Sequence, residues 1–207
     1  DLTIKIKVIH CELLAMMSAQ CRPTPMGFCV NGPPGIGKGM VMDMIMSIYS
    51  KVKGREFDSS HVYHRVAGED YWSGYMPGSQ PFIHYSEPGS LNRGIAAKRG
   101  DPLMEEVLGV VDNQPKIAPM AELDKKGNTY VIPELVILDT NVPDMNLQVI
   151  VNNPAAIRRR FIYVKPTVKE EFRLDGTPAI DSKRSFESDR PILDRWTFEV
   201  SLMIPQD

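Results

Sequence analysis

The sequence predicts an α/β fold with a mostly parallel central sheet flanked by helices. Two observations carry this. Short apolar, strand-like runs alternate with helix-like segments along the chain. In addition, the apolar run at residues 26–31 feeds a glycine-rich turn, "GPPGIGKG", that opens a helical pattern. At 207 residues, one domain spanning 1–207 is expected.

The elements follow in order. Residues 2–20 carry Leu2, Ile6, Ile9, Leu13, Leu14 and Met17 at spacings of three and four, which predict an amphipathic packing helix. The Arg22-Pro-Thr-Pro25 stretch breaks it. A short buried strand at 26–31 precedes a helix that runs to about Tyr49, with Met40, Val41, Met44, Ile45 and Ile48 inward. Strands are expected at 61–66 and 81–85, and a helix at 101–112, opened by Asp101 and Pro102. Residues 134–139 (ELVILD) form a strongly apolar strand, and Asn153 and Pro154 open a short helix over 153–159. Two further strands are expected at 160–165 and 195–203, with the polar stretch 167–190 between them a surface excursion.

Composition bounds the function. The chain is 43% hydrophobic and 24% charged with a formal net charge of -2, which excludes a wholly basic nucleic-acid coat but not a local basic patch. Cys11, Cys21 and Cys29 lack zinc-ligand spacing and read as free thiols of a reducing compartment. No run of 18 apolar residues exists, so no membrane segment is expected within this chain. The chain opens at Asp1 rather than Met, as a fragment of a longer protein would.

Gly32-Pro33-Pro34-Gly35-Ile36-Gly37-Lys38 satisfies G-x-x-x-x-G-K. Such a loop turns successive backbone N–H groups toward one anion, sets a helix N-terminus behind it and lets the lysine reach the outer phosphates. A nucleotide-binding segment over 32–39 is therefore expected. Gly39 departs from the pattern, because a Ser or Thr hydroxyl at that position ligates Mg²⁺. In "PFIHYSEPG" a strand ends at Ser86 and Glu87. Where such sites place two acids, the first in the Mg²⁺ shell and the second polarising water, this chain has Ser86 and then Glu87. Ser86 is thus at best a weak metal ligand, and Glu87 is a candidate general base. The plainer reading of Glu87 is a solvated carboxylate at a turn.

Four further segments complete an ordered array: "EDYWSGY" (69–75), "APMAELDKKGNTY" (118–130), "LVILDTN" (135–141) and "NPAAIRRRF" (153–161). The array resembles the superfamily 3 helicase/NTPase domain of picorna-like positive-strand RNA viruses, over about residues 10–203. Ser73 stands where that family often has Asp.

The resemblance implies an AAA+-type P-loop core that assembles with itself into a homo-oligomeric ring, usually a hexamer, with ATP between subunits and Mg²⁺ as its cofactor. It implies that Lys38 holds the β- and γ-phosphates, Glu87 orients water, and Asn141 senses the γ-phosphate. Arg159 and Arg160 would reach a neighbour's nucleotide as arginine fingers. Lys126, beside Lys125, would touch single-stranded RNA in the central channel. It further implies other viral replication proteins as partners, and a place in the host cytoplasm at replication membranes, reached through regions outside this chain. Each residue also has a plainer reading. Asn141 could cap a turn, Arg158–Arg160 could be a solvated basic face, and Lys125 and Lys126 could be exposed turn residues. Tyr71, Trp72 and Tyr75 read as a packing cluster, and His61, His64 and His84 as structural. An alternative to the enzyme is a nucleotide-binding scaffold that lost its metal site and does not hydrolyse.

Overall fold

The computed structural model describes residues 2–18 and 22–202. Its centre is one six-stranded sheet. The strands are β1 (Met26–Asn31), β2 (Val62–Arg65), β3 (Phe82–Ser86), β4 (Leu135–Thr140), β5 (Phe161–Val168) and β6 (Trp196–Leu202), in the order β2-β3-β4-β1-β5-β6. Every pairing is parallel except β5 with β6. The helices are α1 (Leu2–Ser18), α2 (Lys38–Val52), α3 (Arg93–Arg99), α4 (Pro102–Val110), α5 (Leu147–Ile150), α6 (Pro154–Arg158) and α7 (Ser182–Phe186).

Strand alternation splits the interior into two layers. Val30, Phe82, Leu135, Ile137 and Val164 face α2 and pack on Val41, Met42 and Met46. Cys29, Ile83, Tyr85, Val136, Leu138 and Phe161 face the other way, onto Met104, Val107 and Val110 of α4 and the rings of Tyr63, Trp72 and Tyr75. Trp72 and Tyr75 are buried, and Tyr63 stacks on Trp72 with centroids 5.3 Å apart, so this is a packing cluster; Tyr71 lies outside it, exposed. Asp101 caps α4 by accepting from the N–H groups of Leu103 and Met104, as the Asp-Pro pair leads one to expect. Burial pushes the Cys29 thiol up to about 12, so it is inert. Cys21 and the side chain of Cys11 lie outside what the structure describes.

Three expectations need correction. The helix α1 forms, but Leu2, Ile6, Ile9 and Leu13 are exposed rather than packed, as are Ile4 and Val8. Leu2, Ile6, Ile9 and Leu13 share one side of the helix, but Ile4 and Val8 make the opposite side apolar too, so no polar face opposes the stripe. The side chains of Leu14 and Met17 lie outside the described set. In α2, Met40 and Ile48 are exposed, and the inward stripe runs through Val41, Met42 and Met46. The third concerns residues 167–190. There β5 continues to Val168, Val168 and Phe172 are buried, and the stretch folds back on the glycine-rich loop.

Candidate nucleotide site

The loop 32–37 leaves the end of β1 and enters α2 at Lys38. Gly37 caps α2 with φ 84°, a left-handed conformation, and a Cβ there would stand 2.9 Å from the Trp196 ring. Glycine is required on both counts. The loop is clasped from outside. Trp196 Nε1–H donates to the Ile36 carbonyl at 2.7 Å, and the Ile180 N–H donates to the Gly35 carbonyl at 3.0 Å. Ile36 itself is buried and anchors the loop in the α2 layer. The clasp takes two loop carbonyls as acceptors, while the N-terminus of α2 presents its positive end to the loop.

Three residues singled out in the sequence meet beside this loop. The Lys38 ammonium donates to the Gly32 carbonyl at 3.1 Å and, at close range, to Asn141 Oδ1. Asn141 Nδ2 donates to Glu87 Oε1 at 2.5 Å, and the Asn141 backbone N–H donates to Glu87 Oε2 at 3.0 Å. Glu87 sits at φ 52°, a conformation that favours glycine, and its own N–H is held by the Asp139 carbonyl at 2.8 Å. Backbone held in this way at a strand end is typical of functional turns.

Under this triad runs a polar line on the α2 side of the sheet. Ser86 lies directly beside Asp139 in the β3–β4 register, and His64 lies beside His84 in β2–β3. His84 Nε2 is 2.8 Å from Asp139 Oδ1, and His84 Nδ1 is 2.9 Å from His64 Nδ1. A neutral assignment satisfies all of it: His64 Nδ1–H donates to His84, and His84 Nε2–H donates to Asp139. Burial acts to raise the Asp139 carboxyl, but the bond from His84, the polar Ser86 beside it and the Lys38 ammonium outweigh it and hold the group below its ordinary range. His64 and His84 are thus built into the site's support, and Asp139 is a site residue that the motifs do not include. Its signal was an acid at the polar end of an otherwise apolar strand.

The remaining candidates stand apart. Phe161 is level with Gly27 in the parallel β1–β5 register, so Arg159 and Arg160 precede β5 at the sheet edge opposite the loop. Gly27 lies four residues before the end of β1, roughly 13 Å along the strand. Arg160 pairs with Asp112 at 3.4 Å. Lys125 and Lys126 are exposed on a loop closed by the Ile117–Tyr130 bridge, and Lys125 pairs with Glu122 at 2.8 Å.

The donor set fits a nucleotide-borne Mg²⁺. Among the described residues no three His, Cys, Asp or Glu side chains converge to hold a metal by themselves. Mg²⁺ needs no such cage, because it keeps several waters and binds through one or two carboxylates plus phosphate oxygens. Oxygen donors of that kind, on Ser86, Asp139 and Glu87, end β3 and β4 beside the loop.

A mostly parallel sheet whose first strand runs through a G-x-x-x-x-G-K loop into a helix, with polar groups ending the neighbouring strands, defines a P-loop NTPase fold. The comparisons place the chain within that class. A family model described as RNA helicase matches residues 28–142, and the chain belongs to that family, the superfamily 3 helicases of picorna-like viruses. Over 198 residues the chain is 26% identical to the RNA1 polyprotein of Broad bean wilt virus 1, covering 94% of this chain and 10% of the polyprotein. It is 28% identical over 147 residues to the genome polyprotein of Rice tungro spherical virus, covering 70% and 4%. To the genome polyprotein of Human parechovirus 2 it is 28% identical over 151 residues, covering 73% and 6%. The chain therefore spans a tenth or less of the length of these relatives. Membership implies nucleotide binding and NTP-driven activity of the helicase type. No helix among the described residues is long and apolar enough to cross a membrane.

Proposed function

We propose that this chain is a single NTPase domain that binds and hydrolyses ATP or another NTP at residues 32–39, and uses the energy to remodel or translocate viral RNA. The backbone N–H groups of Gly35–Gly39 and the N-terminus of α2 cradle the phosphates. Lys38 exchanges its carbonyl and amide partners for phosphate oxygens. Glu87 orients the attacking water, and Asn141, already bonded to both Lys38 and Glu87, couples the γ-phosphate to that carboxylate. Mg²⁺ would neutralise charge on the β- and γ-phosphates.

Arg159 and Arg160 stand too far from their own loop to serve it, which supports a role as fingers for the nucleotide of a neighbouring copy. That arrangement calls for a homo-oligomeric ring, in our reading a hexamer. Lys125 and Lys126, on an exposed loop, would touch single-stranded RNA in its channel. The domain would work with other viral replication proteins in the host cytoplasm, at membranes engaged through regions outside this chain.

The observation that carries this reading is the Lys38–Asn141–Glu87 chain of hydrogen bonds directly beside the loop. A solvated turn carboxylate has no need of two donors from the next strand and an ammonium beyond them. The test is steady-state ATP hydrolysis by the unmodified chain beside Lys38→Ala and Glu87→Gln. Turnover that both variants lose is expected, and no turnover with any divalent metal would refute the enzyme.

One observation favours a second reading. Gly39 and Ser86 both lack the usual metal-binding group, which suits a scaffold that holds nucleotide without splitting it. That reading expects binding that barely responds to Mg²⁺, and activity that appears only when Gly39→Ser and Ser86→Asp are combined. A Cβ at Gly39 meets nothing within 4 Å, so the serine would fit.

A further inference from the structure

We propose that Asp139, at the end of β4, is the carboxylate that holds the divalent cation of the bound nucleoside triphosphate, in place of the acid missing from Ser86 on the strand beside it. The inference rests on the nucleotide-binding reading above and adds the residue that makes it work with a metal.

The geometry carries it. Ser86 and Asp139 are partners in the parallel β3–β4 register, so their side chains leave the same face of the sheet side by side. A carboxylate on either strand reaches much the same space. Asp139 also pairs with Val30 of β1, two residues before the loop opens at Gly32. It therefore stands on the strand between the loop strand and the acid strand, nearer the phosphates than Ser86 does. The Gly32 N–H donates to the Thr140 carbonyl at 3.2 Å, which ties the end of β4 to the loop itself.

The surroundings of Asp139 are those of a positioned ligand rather than a surface acid. Its side chain is 13% exposed. His84 Nε2 fixes Oδ1 at 2.8 Å, and His64 in turn backs His84 at 2.9 Å. Ser86, its register partner on β3, lies beside the same carboxylate. A carboxylate oriented by an imidazole that is itself oriented is the outer-shell pattern of metal sites. His64, His84, Ser86 and Asp139 line up on the face that buries Phe82, Leu135 and Ile137, and the two half-buried members, His84 and Asp139, are bonded to each other. Ser86 keeps an oxygen beside the cation, and His84 and His64 are positioning residues.

The test reads metal rather than turnover. Affinity for a non-hydrolysable ATP analogue is measured in EDTA and in Mg²⁺, and Mn²⁺ binding with that analogue is followed by electron paramagnetic resonance. The unmodified chain should bind the analogue more tightly with Mg²⁺ and show a bound Mn²⁺ signal. In Asp139→Asn, whose amide oxygen still accepts from His84, the ratio of the two affinities should fall toward one and the Mn²⁺ signal should be lost. His84→Gln should weaken Mn²⁺ by about 10–100-fold without abolishing it. The swap Ser86→Asp with Asp139→Ser should restore Mg²⁺ dependence by returning the acid to β3. Full Mg²⁺ dependence and an unchanged Mn²⁺ signal in Asp139→Asn would overturn the proposal. Analogue binding by the unmodified chain with no response to metal would overturn it too, and would leave nucleotide binding standing. No analogue binding in EDTA or in Mg²⁺ would instead remove the nucleotide reading beneath it.

Discussion

Asn141 grips Glu87 at both carboxylate oxygens: its side-chain Nδ2 lies 2.5 Å from Oε1 and its backbone N–H 3.0 Å from Oε2. The two residues are 54 positions apart and end neighbouring strands. Bonded twice to one residue, the carboxylate has its plane fixed, so its direction toward a water does not depend on solvent.

If Glu87 is the base, Glu87→Gln should lower kcat by about 10²–10⁴-fold while ATP-analogue affinity changes little. Asn141→Ala should reproduce part of that loss by releasing the carboxylate. Steady-state hydrolysis and analogue titration separate the two quantities. A Glu87→Gln enzyme with normal kcat would contradict the assignment.

Arg160→Ala and Lys38→Ala should each be inactive alone. Mixed, they should regain turnover, because one copy supplies the intact loop and the other the arginine. Fingers are worth about 10³–10⁵ in rate in related chemistry, so even a small fraction of correct pairings is measurable. Failure of every mixing ratio, with oligomers present, would argue for a purely structural Arg160.

Trp196 should govern the loop from outside. Trp196→Phe leaves the buried Ile36 carbonyl without its donor at a cost of about 1–3 kcal/mol. For a chain of this size each kcal/mol moves Tm by about 2–4 °C. Calorimetry should show that loss together with weaker analogue binding. An unchanged Tm would mean that the clasp contributes nothing.

A pH response follows from the histidine pair. Burial first, and then the neighbouring His84, pull His64 below its ordinary value, with Asp43 of α2 acting the other way. The unfolded chain then binds the proton more readily than the folded one. The contribution of His64 is complete above about pH 6.5 and is lost as pH falls from there through the lowered folded value. Melting temperature should therefore drop as pH falls from about 7 to the acid side of about 6.5, and less steeply in His64→Gln. Equal slopes would remove His64 from the account.

What the sequence revealed divides along physical lines. The loop 32–39 and the strands around 81–85 and 134–139 were legible because their signals are local: glycines, a lysine and short apolar runs. Lys38, Glu87 and Asn141 could be named one by one, but only parallel pairing across more than 50 intervening residues brings them together. Asp139 went unread for the same reason, since its importance lies in standing beside Ser86, which no spacing along the chain encodes. The clasp by Ile180 and Trp196 was missed because it acts largely through hydrogen bonds to loop carbonyls, and the Ile180 bond is backbone to backbone. The helix α1 shows the reverse error: its three-and-four spacing suggested a buried stripe, yet Leu2, Ile6, Ile9 and Leu13 are exposed and Ile4 and Val8 make the other side apolar too.

The most direct measurement is ATP hydrolysis by the unmodified chain, with Mg²⁺ and Mn²⁺ titrated against Glu87→Gln and Lys38→Ala. The account predicts metal-dependent phosphate release that both substitutions abolish. Hydrolysis that persists in Glu87→Gln, or its complete absence from the unmodified chain in either metal, would contradict it.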